Sequence, residues 1–255
     1  CKKCSLGQLN RSFNLKYLYG PDYGYKTGIN KTMRDHMNNV QKILVKKAKL
    51  IPGDYVLDIA SNDATLLNFY QKNVVTVGID PLVNKYKTCY NKINYKISNF
   101  FQISDIQKLN LKKKFKIISA LSVFYDCKSP NNFIKQNRDV LDKKGLFIFV
   151  LADLLSIIKN SWFNTICHEH LEYYSSKVII EIMKRNGLEV FDHEFNNING
   201  RSSRYYICHQ KANYKTKQRK IKMLLSKEKK IGLHSKKIFK IFFKKILNEK
   251  KKLKK

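Results

Sequence analysis

Short apolar runs alternate with stretches of helical spacing between about residues 36 and 210, and this alternation constrains the fold more than any other feature. Tyr55–Ile59, Val74–Ile79, residues 94–97, Phe115–Leu121 and Leu146–Leu151 read as five strands. Helices are expected over about 36–50, through Leu66, Leu67 and Tyr70, over about 83–91 and over roughly 131–141. Strands separated by helices predict a parallel sheet covered on both faces. The ending differs. A helix over about 175–186 meets Gly187, and Leu188–Phe195 and Tyr205–His209 then read as two strands joined by an Asn/Gly-rich turn. The expected architecture is α/β: seven strands, mostly parallel, the last pair antiparallel, with helices on both faces.

Two segments flank this region. Residues 1–35 are turn-rich, with Tyr17, Tyr19, Tyr23 and Tyr25 around Gly20-Pro21, Gly24 and Gly28, and read as loops and short pieces. Residues 211–255 read as a Lys-rich helical tail, with Leu224, Leu225, Ile238, Ile241, Phe242 and Ile246 at helical spacing. The tail suits either an anionic surface or an apolar stripe packed on protein, and packing is the expectation. The chain thus divides into an N-terminal lead (1–35), a central domain (36–210) and the tail (211–255).

The formal charge of +32 suggests a nucleic-acid or membrane-surface partner. Its make-up argues otherwise. Only 7 of the 51 basic residues are Arg, the side chain whose planar fork grips phosphate at two points. Lys, Asn, Ile, Tyr and Phe are plentiful while Gly and Pro number 10 and 4, the drift an AT-rich coding sequence produces. The tail alone carries +17. No run approaches the roughly 20 apolar residues of a membrane span. The six cysteines are scattered without a small-scaffold spacing, which fits a reduced, cytoplasmic setting. The chain opens at Cys1, without a signal peptide, and reads as a piece of something longer.

The run Val56 to Leu66 is a strand end, a tight turn of small residues and a helix start. That places backbone at the carboxyl edge of the sheet, where open α/β sheets bind ligands. Asp58 is placed to meet the ammonium of a bound amino-acid moiety, with Ala60, Ser61 and Asn62 forming the turn. Asp80 ends the next strand, where a carboxylate accepts both ribose hydroxyls of a nucleoside. Asn99 and Phe100 follow the third strand and suit the flanks of an adenine. No Gly-x-Gly-x-x-Gly is present, so S-adenosylmethionine is expected over NAD. The strand order and this turn together suggest a class I methyltransferase sheet, Rossmann-like in form.

Three further runs narrow the reading. They are Tyr23 to His36 before the sheet, Thr165 to Ser175 with its Cys167-His-Glu-His170 core, and Asn199 to Tyr206 leading the last strand. With the Ala60 to Ala64 turn, the chain resembles the nucleotide-sugar C-methyltransferases, which methylate carbon 3 of a TDP-4-keto-deoxysugar. The resemblance implies a nucleotide-sugar substrate and no nucleic-acid partner. It also implies His170 as general base, with Glu169 orienting it or binding a sugar hydroxyl and His168 beside them. Tyr23 or Tyr25 would cover the sugar and donate to the keto oxygen, and Cys167, Asn199 and Arg204 would contact the substrate. Such chemistry requires removal of a proton next to a carbonyl, by a base whose pKa lies near working pH.

The resemblance also implies a zinc knuckle. Cys1 and Cys4 match its second half, and two thiolates do not close a structural zinc site without an earlier pair. This sequence departs from the family at Ala60 and Ala64, where the family has Gly, at Val150, where it has Glu, and within Asn199 to Arg204. The family's C-terminal α/β domain would lie beyond the Lys-rich helix. Two other readings stand beside this one: a nucleic-acid methyltransferase, and a cofactor-binding domain without catalysis.

Overall fold

The computed structural model describes residue 1, residues 4–196 and residues 202–253. In chain order the elements are β1 (Gly7–Gln8), α1 (Leu15–Leu18), α2 (Lys31–Ala48), β2 (Tyr55–Ile59), β3 (Val75–Ile79), β4 (Tyr95–Ile97), α3 (Ile103–Gln107) and β5 (Phe115–Leu121). They continue with α4 (Pro130–Val140), β6 (Leu141–Ala152), α5 (Leu154–Asn160), β7 (Glu172–Tyr173), α6 (Ser176–Arg185), β8 (Leu188–Asn196), β9 (Ser202–His209), α7 (Gln218–Lys230) and α8 (Lys236–Lys252).

Seven strands form one sheet in the order β4-β3-β2-β5-β6-β9-β8. The first five pair in parallel, and β9 runs antiparallel to both β6 and β8. Alternate residues of the strands feed two cores. Val56, Ile117, Leu146 and Ile148 pack with Met37, Val40 and Leu44 of α2. Leu57, Ile118, Phe147 and Phe149 pack with Ile134 of α4, Ile182 of α6 and Leu224 of α7. Burial on both faces explains why the strands read as unbroken apolar runs. The strand order reverses between β2 and β5, which makes their carboxyl ends the place where such a sheet opens a crevice.

Helix α2 begins a turn before the expected start because the Asn30 side chain accepts the Met33 N–H at 2.8 Å. It ends at Lys49, which is left-handed (φ 50°). Two expected helices are instead single 3-10 turns, Leu67–Phe69 and Lys87–Tyr90. The Asn68 side chain links them by donating to the carbonyls of Ala64 and Cys89, both at 2.9 Å, an alternative to continuing a helix. Helix α5 is additional. Leu154, Leu155, Ile157 and Ile158 are all buried, so it shows no amphipathic period, and Asp153 caps it by accepting the Ser156 N–H at 2.9 Å.

The tail forms α7 and α8. Leu224 enters the core, while Leu233 and Phe242 pack on α5. Glu228 of α7 is fully buried and accepts the N–H groups of Ser176 and Lys177 at the start of α6, at 2.5 and 3.2 Å.

Candidate functional site

The turn after β2 carries three non-glycine residues in the left-handed region: Ala60 (φ 56°), Asn62 (φ 50°) and Ala64 (φ 57°). Left-handed backbone costs an L-residue about 1–2 kcal/mol, so contacts must hold the turn. Buried Tyr90 supplies one support, with its hydroxyl 2.7 Å from Ser61 Oγ and donating to the Asn62 carbonyl at 2.8 Å. Asp80 supplies another, with Oδ2 accepting the Asn62 N–H at 2.9 Å and Oδ1 accepting the Leu82 N–H at 2.7 Å. Ala60→Gly is expected to raise stability by about 1 kcal/mol, since glycine relieves the steric cost while loosening the unfolded chain. Thermal denaturation checks it, and a lowered midpoint would contradict the strain.

A cavity of about 550 Å³ opens at this edge, within the range of small-molecule sites. Asp58, Ala60, Ser61, Asn62, Asp80, Asn99 and Phe100 all line it. Asp58 Oδ1 accepts the Ser119 hydroxyl at 2.5 Å. Burial pushes the Asp58 carboxyl up to about 7, with the Ser119 hydrogen bond opposing and the Asp80 charge adding to the rise. Burial also raises Asp80, against the two backbone N–H groups that hold its charged form. Two carboxyls short of a cation, beside a turn of small residues, form a donor set suited to an ammonium and a diol.

The lead lies along the cavity and supplies part of its wall. Asn62 Oδ1 accepts the Thr27 N–H at 2.9 Å, its Nδ2 donates to the Tyr25 carbonyl at 3.1 Å, and Asp63 Oδ2 accepts the Gly28 N–H at 2.9 Å. A Cβ on Gly28 would lie 2.5 Å from Thr65 Oγ1, so only glycine allows this approach. Lys85 Nζ donates to the carbonyls of Pro21 and Tyr23, both at 2.7 Å. Tyr19, Tyr23 and Tyr25 thereby line the cavity. The Asn62 and Asp63 side chains thus fasten the lead, a role the sequence motif does not reveal.

The Cys167 to His170 segment does not line the cavity but lies against its wall. Pairing of β1 with β7 and a bond from the Leu9 N–H to the Leu171 carbonyl (2.9 Å) bring the lead beside it. His168 packs edge-on to Phe13, with ring centroids 5.3 Å apart. His170 packs edge-on to Tyr125, a cavity residue, at 4.4 Å. Its Nδ1 donates to the Thr165 carbonyl at 2.8 Å, and burial holds the imidazole below its usual pKa. Glu169 acts electrostatically on Tyr23, whose hydroxyl burial pushes up to about 12.

Arg204 is buried on β9 with Nη1 3.7 Å from Glu194 Oε2, and its charge helps burial lower His36, which lines the cavity. Asn199 lies outside the described residues. Cys1 is exposed and Cys4 half-buried, and among the described residues no three His, Cys, Asp or Glu side chains gather at metal-holding distance. Among the cavity residues that the sequence does not single out is Asp126, after β5, which accepts the Tyr19 hydroxyl at 2.9 Å. A lone Asp in a polar loop carries no signal, and its partner lies 107 residues away. Among the described residues no helix is long and apolar enough to cross a membrane.

Residues 30–193, well over half the chain, match the family described as a methyltransferase domain. The C-methyltransferase NovU of Streptomyces niveus is 23% identical over 226 residues, covering 88% of this chain and 54% of that protein. The chain therefore spans about half the length of that curated relative. Among solved structures, an S-adenosylmethionine-dependent methyltransferase from Clostridium acetobutylicum superposes with a TM-score of 0.54 at 13% identity, over 69% of this chain and 92% of that one. Magnesium protoporphyrin IX methyltransferase from Synechocystis with bound SAH gives 0.51 at 15% identity, over 76% and 92%. These likenesses establish the class I methyltransferase fold.

Proposed function

Because the chain belongs to the methyltransferase-domain family, we propose that it moves a methyl group from S-adenosylmethionine to a carbon beside a carbonyl, carbon 3 of a TDP-4-keto-deoxysugar. One observation carries this reading. A single cavity joins the Asp58/Asp80 edge to a half walled by Tyr19, Tyr23, Tyr25, Tyr125 and Asp126, with the His168 to His170 segment behind that wall. The likeness to a C-methyltransferase supports the choice of carbon as acceptor.

The residues fit the cofactor. Asp58 would hold its ammonium, Asp80 its ribose hydroxyls, and Asn99 and Phe100 its base, while the backbone of 60–64 approaches closely. When bound, S-adenosylmethionine would supply an electrophilic methyl: the carbon–sulfur bond would break with its electron pair staying on sulfur, while the acceptor's enolate carbon supplies the pair for the new bond.

The chain must supply a base for the carbon-bound proton, an oxyanion partner and exclusion of water. His170 suits the first task. The bond from Nδ1–H to Thr165 fixes the tautomer, and the lowered pKa keeps Nε2 unprotonated at neutral pH; because His170 lies behind Tyr125, that ring must shift for Nε2 to meet the acceptor. The lead, fastened through Asn62, Asp63 and Lys85, would shield this half of the cavity from water with the acceptor in place.

Incubation with S-adenosylmethionine and a TDP-4-keto-6-deoxysugar is expected to give a sugar heavier by one methyl group. His170→Ala is expected to lower that turnover at least about 100-fold, the low end for a lost general base, while affinity for S-adenosylhomocysteine stays unchanged. Undiminished turnover in the variant would remove His170 from the reaction.

A further inference from the structure

Asp126 stands apart from the other acids of the cavity. It ends the 3-10 turn Phe124–Asp126 at the carboxyl end of β5, the strand beside β2. Asp58 is engaged by Ser119, and both oxygens of Asp80 accept backbone N–H groups. Asp126 has one oxygen, Oδ2, engaged by Tyr19, while Oδ1 is buried without a hydrogen-bond partner among the described residues. The residue is 6% exposed, in a cavity wall. Buried polar oxygens are nearly always partnered, and this one, covered but set in the cavity wall, reaches a ligand once the carboxyl turns toward the cavity.

We propose that Asp126, as a neutral carboxylic acid, donates a hydrogen bond to the carbonyl oxygen of the methyl acceptor and keeps that bond as the oxygen becomes an enolate. The inference rests on the carbon-methylation reading above and adds a residue that the His-Glu-His motif does not include. Asp126 neither gains nor loses a proton in the reaction; the carbon-bound proton goes to the base.

The surroundings keep the acid neutral. Tyr19 just after α1, Tyr23 from the lead, Tyr125 and Cys127 on either side of it, Glu169 from the histidine segment, and Glu172 and Tyr173 from β7 all act on it or are acted on by it. Glu169 and Glu172 are both acids, and burial raises the Glu172 carboxyl itself to about 7. Burial pushes Asp126 up to about 8, the Tyr19 hydrogen bond opposes the rise, and the two glutamates add to it. Below about pH 8 the carboxyl therefore keeps its proton, and with Oδ2 accepting from Tyr19 that proton belongs on Oδ1. A carboxylic acid held neutral in this way suits developing negative charge on a carbonyl oxygen.

The test compares the full chain with Asp126→Asn and Asp126→Ala by infrared difference spectroscopy and by kinetics with the TDP-4-keto-6-deoxysugar. At pH 7 the wild type is expected to show a protonated-carboxyl band that Asp126→Asn lacks. Asp126→Ala is expected to lose about 100- to 1,000-fold in kcat, the loss seen for one oxyanion donor. Asp126→Asn, isosteric and still a donor, is expected to stay within about tenfold of wild type and to lose the alkaline fall near pH 8. Both variants should bind S-adenosylhomocysteine as the wild type does. Absence of the band at pH 7 overturns the proposal with or without an acceptor. So does wild-type turnover in Asp126→Ala, and so does a dead Asp126→Asn, which would make the residue a base. The band present with no transfer by the wild type would instead refute the acceptor class.

Discussion

Asp80→Ala is expected to weaken S-adenosylhomocysteine binding about 100-fold. Hydrogen bonds to a charged group are worth about 1.5–3 kcal/mol each, and every 1.4 kcal/mol is tenfold in affinity. On the proposed reading the carboxylate accepts from the ribose while it also holds the N–H groups of Asn62 and Leu82. Alanine removes the ligand contact and leaves both backbone donors unsatisfied. The turn from Ala60 to Ala64, three of whose residues are held in left-handed backbone, is then tied to the end of β3 through the Ser61 N–H and Ile79 carbonyl at 3.3 Å but no longer through Asn62. Asp80→Asn preserves the volume but sets an amide against one of those donors, so it should fall between wild type and alanine. Calorimetric titration measures the effect. Affinity within threefold of wild type would contradict the assignment.

Glu228→Ala is expected to lower the melting temperature by roughly 6–20 °C. Its fully buried carboxylate accepts two of the N–H groups that open α6, from 52 and 51 residues away, beside His234 Nε2 at 3.5 Å. Ser175 accepts only one further N–H of that turn, from Val178, at 3.3 Å. Breaking a buried charged cluster costs about 3–5 kcal/mol, and a chain of this size shifts about 2–4 °C per kcal/mol. Glu228 and the apolar contacts of Leu224, Leu233 and Phe242 hold the tail to the domain, together with the pairing of Lys220 Nζ with Asp192 Oδ1 at 3.1 Å. Glu228→Gln, which keeps one acceptor, should lose less. A shift under 2 °C in the alanine variant would mean that α7 does not secure α6.

The sheet is legible in the sequence because its strands are buried on both faces. Tyr55–Ile59 and Phe115–Leu121 have the same limits in the sequence pattern and in the structure. The short turns after β2 and β3 are not legible, because Leu66, Leu67 and Tyr90 mark apolar positions without revealing how few residues remain between strands. Helix α5 escapes because it is short and its four apolar residues, Leu154, Leu155, Ile157 and Ile158, are all buried, leaving no polar face to mark a period. In the site, Asp58, Asp80, Asn99 and Phe100 can be found by their places at strand ends, and the structure gathers them in one cavity. The histidine segment is conspicuous in sequence, yet it sits behind the tyrosine wall. Asp126 acquires its chemistry only through Tyr19, Glu169 and Glu172, which the fold brings from distant stretches of chain.

Binding of S-adenosylhomocysteine to the wild-type chain, titrated by calorimetry in buffers of different ionisation enthalpy, tests the central claim most directly. Burial holds the free Asp58 carboxyl near 7, and the ligand's ammonium favours its charged form. Binding should therefore release a proton near and below pH 7 and weaken progressively as pH falls further, with Asp58→Asn abolishing the release. No detectable binding would contradict the account, as would binding whose affinity and proton balance do not change between pH 6 and pH 8.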